Sequence, residues 1–153
     1  MSSDGSLLVF RSVPSHLQLG TADKRALRNF ARGLSERVGQ SRAFCCLVTS
    51  DEELRRLNRE FLNHDYPTDV LSFPAAEEGG ELGELAISIE RADAQARHYE
   101  HALLDELRVL MLHGVLHLRG MDHERDRGEM ARAERRLRKE LGLPNGLIAR
   151  ARK

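Results

Sequence analysis

The stretch His113-Gly-Val-Leu-His117-Leu-Arg-Gly120-Met-Asp-His123 sets three histidines at spacings of four and six, with a glycine between the second and third. On a helix His113 and His117 lie one turn apart on the same face, so both imidazoles can reach one ion. Gly120 can take the left-handed conformation that ends a helix and turns the chain back, which brings His123 to a third position. Three neutral nitrogens leave the fourth tetrahedral position open for water, the arrangement of a catalytic rather than a structural zinc. Upstream, Val109-Leu-Met-Leu112 makes the segment Leu103 to Leu118 apolar nearly all round, as in a helix buried at the centre of a domain. The histidines are therefore expected on a rigid support. Gly114 costs such a helix about 1 kcal/mol relative to alanine, so something must need the space beside His113.

Working outward, the segment from Glu90 reads as a long helical region, with a break near His98–His101. Before it, Leu82–Ile89 is a strand, joined by the polar, glycine-paired loop Glu77–Glu81 to the strand Asp69–Phe73, in the manner of a hairpin. Pro67 marks a turn and Pro74 stops the strand. Ser50-Asp-Glu-Glu53 is a capping box that opens a helix burying Leu54, Leu57 and Phe61. Ala43–Thr49 is a short buried strand. Leu27, Phe30, Ala31, Leu34 and Val38 repeat at helical spacing between Thr21 and Gly39, and Leu7–Val13 is a first strand closed by Pro14. A charged helix from about Arg125 to Leu141 closes the chain, with Met130, Leu137 and Leu141 inward.

At 153 residues the chain reads as one domain, residues 1–153. No apolar run reaches the roughly 18 residues of a membrane helix, and the polar start Met1-Ser-Ser-Asp-Gly is no signal peptide. Cys45 and Cys46 are adjacent in a strand, pointing to opposite faces, so they form neither a disulfide nor a shared metal site. The expected location is cytoplasmic, with no membrane partner. A net charge of zero argues against a general nucleic-acid binder, and no DNA partner is expected. The charge is uneven, however. Residues 124–153 carry ten Lys/Arg against five Asp/Glu, whereas residues 77–106 carry nine acidic residues against two arginines. Such asymmetry either builds a basic face for RNA or reflects solvated helix surfaces.

The spacing His113, His117, Gly120, His123 is that of the metzincin signature H-E-x-x-H-x-x-G-x-x-H, except that Gly114 stands where those proteases carry their general-base glutamate. Without that carboxylate, peptide hydrolysis by the usual route is disfavoured. Phosphodiester cleavage in RNA fits better, because a ribose 2′-OH can itself be the nucleophile. Here a family resemblance becomes specific. The stretch from His113 to His123 resembles the H-G-x-L-H-L-x-G-x-D-H signature of the YbeY family of bacterial rRNA maturation factors. Pro67-Thr-Asp-Val-Leu-Ser-Phe-Pro74 is similar to that family's P-T-D-V-L-S-F-P segment, with Leu57-Asn58 at the expected distance upstream. Leu82-Gly-Glu-Leu-Ala-Ile-Ser88 resembles its following strand, and Met130, Glu134 and Leu137 fit its M-x-x-x-E-x-x-L helix.

The resemblance implies an α/β (α+β), zincin-like domain whose small mixed sheet, of about four strands, packs on a central histidine-bearing helix. It implies one zinc ion held by His113, His117 and His123, and a single-strand-specific endoribonuclease acting on rRNA and ribosomal particles in 16S rRNA 3′-end maturation and ribosome quality control. One departure matters. The family's L-N-x-x-Y-R pattern places an arginine where this chain has Leu62, and a phosphoryl-transfer site wants a cation on its developing charge. Arg59, three residues earlier, either substitutes for it or is a surface arginine, with Arg55 seven residues earlier on the same helix face. Asp122 either orients a ligand histidine and contacts the metal's water, or caps the helix that begins near His123. Thr68 and Asp69 either line the cleft or serve turn chemistry. His16, His64, His98 and His101 lack ligand spacing and read as surface or packing residues. Two other functions stay open: a zinc peptidase or amidase, suggested by the spacing and opposed by Gly114, and a non-catalytic ribosome assembly factor, suggested by Leu62.

Overall fold

A computed structural model describes residues 6–64, 68–76 and 80–144. The expectations for Pro67 and for 77–79 of the hairpin loop lie outside the described residues. The elements run β1 (Leu7–Phe10), a 3-10 turn (Ser15–Leu17), α1 (Thr21–Arg37), β2 (Phe44–Thr49), α2 (Asp51–Leu62), β3 (Val70–Pro74), β4 (Gly83–Ser88), α3 (Ile89–His98), α4 (Leu103–Leu118) and α5 (Glu129–Glu140). The four strands form one mixed sheet in the order β1-β2-β4-β3. The first three are mutually parallel, and β3 pairs antiparallel with β4 at the edge.

Alternation along the strands sorts the core into two layers. Phe44, Cys46 and Val48 of β2 and Leu85 and Ile87 of β4 enter the large cluster that also holds α1, α4 and α5 side chains. Ala86 and Leu71 point the other way, onto Leu54 of α2, with Leu47, Leu57 and Phe73 around them. The two cysteines divide as adjacent strand residues must. Cys46 is fully buried, which pushes its thiol far above the ordinary range, and Cys45 is half-buried on the α2 side. Helix α4 is the centre of the molecule, in contact with α1, α3, α5, β3 and β4. Its residues Val109 to Leu116 are all buried, as the unbroken apolar run requires.

Strand β1 and helix α5 have boundaries that differ from the sequence expectation, whereas the break near His98–His101 lies where it was expected, each for a local reason. Strand β1 stops at Phe10 rather than Val13, because Ser12 sits at a left-handed φ of 59°. The break between α3 and α4 is a Schellman turn built on a non-glycine residue. Glu100 has φ 58°, its amide bonds to the Arg97 carbonyl, and the His101 amide returns to the Ala96 carbonyl at 2.9 Å. Helix α5 starts at Glu129 rather than near Arg125. The Asp126 carboxylate takes the amides of Gly128 (2.8 Å) and Met130 (2.9 Å), so capping is deferred past the turns at 123–128. The capping box reads as expected at its first residue: Ser50 accepts the Glu53 amide at 3.1 Å.

Candidate metal centre and its cleft

Helix α4 ends in a Schellman motif centred on Gly120, at φ +90°. The Gly120 amide bonds to the His117 carbonyl (2.9 Å) and the Met121 amide to the Leu116 carbonyl (3.1 Å). This reversal swings His123 back over the helix end. One nitrogen from each of His113, His117 and His123 lies within 4.8 Å of the others. The His123 ring centre is 5.6 Å from both other rings. The structure thus brings together the three histidines named from the sequence.

Hydrogen bonds set the tautomers. Nδ1 of His113 faces Glu134 Oε2 at 2.7 Å, with both side chains buried. Nδ1 of His117 faces the Met121 carbonyl at 2.9 Å. Both Nδ1 atoms therefore carry the proton, and both Nε2 lone pairs point inward. They meet at 3.2 Å. Two lone pairs at that distance need a shared positive charge between them. With His123 as the third donor, the set fits a divalent cation that favours imidazole. Burial, then the neighbouring His113 and His123, lower the His117 pKa from the ordinary imidazole range, against the pull of the Met121 carbonyl and Asp122. A neutral ring is the ligand form.

Glu134 was not assigned a role from the sequence, yet a signal was there. It lies on the inward stripe of α5 between Met130 and Leu137, and a carboxylate on an apolar stripe needs a partner. Gly114 is explained by close packing. A Cβ there would stand 2.7 Å from Leu85 Cδ2 and 3.1 Å from Leu85 Cδ1, so α4 rides directly on β4. The space beside Gly114 is filled by the Leu85 side chain of the sheet, which any side chain at 114 would have to displace. Ser72 of β3 donates to the Gly114 carbonyl at 3.3 Å, tying the edge strand to the same turn.

A cleft of about 400 Å³ opens on His113 and His117, walled by α2, the residues before β3, β3 itself and Glu124. Thr68 and Asp69 line it, and so do Asn58, Leu62 and His64. Arg59 does not. At about 100° per residue, Asn58 lies about 40° to one side of Leu62 around the helix axis and Arg59 about 60° to the other. The chain turns the Asn58 side towards the histidines. Arg59 lines a separate hollow with Arg55, Ser50 and Glu90. Of the two readings of Arg59, this placement is the one a surface arginine would have, since three residues along a helix share a face only loosely. Asp122 sits in the turn that carries His123. Its Oδ1 accepts the Glu124 amide at 3.0 Å, and its Oδ2 lies 3.6 Å from Arg125. His98 and His101 stay at the α3–α4 junction, where His101 Nε2 meets the buried Glu106 at 2.6 Å.

An α/β domain that converges three imidazoles from a buried helix and its terminal turn defines a class of protein whose cleft floor can hold a metal ion. Comparison with known proteins narrows this. The family model of Endoribonuclease YbeY matches residues 18–142, and the chain belongs to that family. It is 52% identical over 149 residues to the Endoribonuclease YbeY of Solibacter usitatus, covering 97% of both chains. It is 56% identical over 107 residues to that of Koribacter versatilis, covering 70% of both. Among solved structures, a Thermotoga maritima protein determined in solution matches with a TM-score of 0.58 and 26% identity, over 85% of each chain. No helix among the described residues is long and apolar enough to cross a membrane.

Proposed function

We propose that this protein is a zinc-dependent, single-strand-specific endoribonuclease that acts on rRNA in ribosomal particles, in 16S rRNA 3′-end maturation and ribosome quality control. On this reading it works in the cytoplasm as one domain, with no membrane or DNA partner. The observation that carries the reading is the pair of Nε2 atoms meeting at 3.2 Å in a cleft, their tautomers held by Glu134 and the Met121 carbonyl. Family membership directs that site to RNA.

His113, His117 and His123 would hold the ion. Bound there, zinc supplies Lewis acidity to a phosphoryl oxygen and acidifies water. The residues around it do the rest. Glu134 keeps the proton on His113 Nδ1, so the ring presents a lone pair to the cleft floor. The Met121 carbonyl does the same for His117. Asp122 shapes the turn that presents His123. Leu62, Val70 and Leu71 give the cleft apolar walls that thin the water around a bound strand and strengthen its polar contacts.

One comparison tests the assignment: digestion of single-stranded RNA and of casein by wild type and by His113→Ala. RNA cleavage that disappears in the variant supports the reading. Casein cleavage would replace it with a peptidase. Inactivity on both substrates, with retained co-sedimentation with ribosomes, would favour a non-catalytic assembly factor. That second reading has one observation behind it: Leu62 faces the cleft, and among the described lining residues there is no Arg or Lys. Metal analysis should find near one zinc per chain, falling sharply in His117→Ala.

A further inference from the structure

Helix α5 turns two unlike sides to its surroundings. Met130, Ala131, Ala133, Glu134 and Leu137 are buried, and Glu134 among them holds His113. At about 100° per residue, Arg132, Arg135, Arg136 and Lys139 fall within an arc of about 100°, opposite that buried side. All four are exposed. At about 1.5 Å per residue they mark a stripe roughly 10 Å long. Among the described residues none of the four forms an ion pair; Arg132 reaches the Arg127 carbonyl at 3.3 Å and lies in the field of Asp126. The two exposed carboxylates of the helix stand at one flank of the stripe and are engaged elsewhere. Glu129 accepts the Arg127 amide at 2.6 Å, and Glu140 pairs with Arg37 of α1 at 3.0 Å.

Folding does not call for this stripe. Arg132 with Arg136, and Arg135 with Lys139, are like-charge pairs at i,i+4, which weaken a helix. The macrodipole favours cations in the last turn alone, and Arg132, Arg135 and Arg136 precede it. A membrane is the wrong occupant, because an interfacial helix needs its apolar side free, and here the core covers that side. A row of phosphates matches the stripe. Three of its four cations are guanidinium groups, whose fork fits phosphate oxygens. Its place in the fold favours the same partner. Among the described lining residues of the cleft there is no Arg or Lys to hold a polyanion. The turn at 123–128, which joins His123 to α5, bears the exposed Arg125 and Arg127, so a basic path leads from the metal centre to the stripe.

We propose that the outer stripe of α5, formed by Arg132, Arg135, Arg136 and Lys139, anchors the phosphate backbone of the RNA substrate beyond the segment seated in the cleft. The proposal rests on the endoribonuclease reading above. The cleft positions the scissile segment, and α5 supplies the salt-dependent attraction. Because Glu134 fixes the rotation of α5 against His113, stripe and metal centre keep a set spacing of about one helix diameter, roughly 10 Å.

The test is fluorescence anisotropy of the zinc-loaded protein with a long, unstructured 2′-O-methyl oligoribonucleotide, titrated at several salt concentrations. Cleavage of the unmodified strand is followed in parallel. Wild type is compared with Arg135→Gln/Arg136→Gln/Lys139→Gln on α5 and with Arg25→Gln/Arg28→Gln/Arg32→Gln, an exposed triplet of equal charge on α1. Three lost phosphate contacts at about 0.7 each should flatten the slope of log K against log salt by about 2 in the α5 variant. The α1 variant should keep the wild-type slope, and both should keep their zinc. An unchanged slope in the α5 variant overturns the proposal. So does an equal loss in both variants, which would make the attraction one of net charge. Loss of zinc from the α5 variant overturns it too, by tying the stripe to the metal centre. Lost binding of the α5 variant to polyglutamate, with RNA binding intact, would give the stripe to an acidic protein instead. Stripe-dependent binding without cleavage would sink the endoribonuclease reading and leave the anchor standing, whereas a wild type that does not bind RNA sinks the anchor itself.

Discussion

Replacing Glu134 by glutamine should weaken zinc binding about ten-fold, and replacing it by alanine about a hundred-fold. The order follows from the structure. Glu134 Oε2 lies 2.7 Å from His113 Nδ1, with the two side chains only 3% and 8% exposed, so no solvent screens the pair. Loss of such an outer partner of a ligating histidine costs 10–100-fold in metal affinity as a rule, about 1.4–2.7 kcal/mol. Glutamine keeps the shape and can still accept the Nδ1 proton through its carbonyl oxygen. It loses only the charge that makes the imidazole a better donor, so it belongs at the low end. Alanine leaves a buried N–H without an acceptor, adding roughly 1–3 kcal/mol, and frees the ring to rotate. The assay is zinc competition against a chromophoric chelator at one pH, with melting of the metal-free proteins alongside. Glu106→Gln serves as control, because the buried His101–Glu106 pair has the same chemistry at the far end of α4. Wild-type zinc affinity in Glu134→Gln, or tighter binding by the alanine variant than by the glutamine variant, would refute the reasoning.

Gly114→Ala gains about 1 kcal/mol of helix propensity but drives a methyl into Leu85, and overpacking of a filled core costs about 1–3 kcal/mol. Urea denaturation should therefore show a net loss of up to about 2 kcal/mol, turning into a gain when Leu85→Val is added; a gain in the Leu85 background would place the contact elsewhere. Leu62→Arg sets a cation on the cleft wall, so single-stranded RNA should bind more tightly, with the slope of log K against log salt steeper by about 0.7. An unchanged slope would mean that the strand does not pass Leu62. The amides of Met130 and Gly128 hold the Asp126 carboxylate below its ordinary range. A lowered pKa stabilises the fold above the unfolded carboxylate's pKa, near 3.9, and that contribution disappears as pH falls through the lower folded value. Asp126→Asn should accordingly lower the melting temperature at pH 6 and converge on wild type at strongly acidic pH; a constant gap across that range would contradict the capping role.

What could be read before the structure, and what could not, divides along sequence distance. His113, His117 and Gly120 lie within eight consecutive residues, where helix geometry and one glycine turn suffice to bring His123 into range. The Ser50 cap and the buried run Val109–Leu112 are local in the same sense. Glu134 is twenty-one residues from its partner His113, and only the packing of α5 on α4 joins them. A lone carboxylate on an apolar stripe announced that a partner exists without saying which. Gly114 showed that space was needed, but its occupant, Leu85, belongs to a strand that the helix meets only in the fold. That Arg59 lines a different hollow has a related cause. Periodicity places residues around a helix axis, and the rotation of α2 is decided by what Leu54 and Leu57 bury against the sheet. That rotation sends Asn58 and Leu62 to the cleft and Arg59 to the other side. A cleft against a buried helix must draw its second wall from elsewhere in the chain.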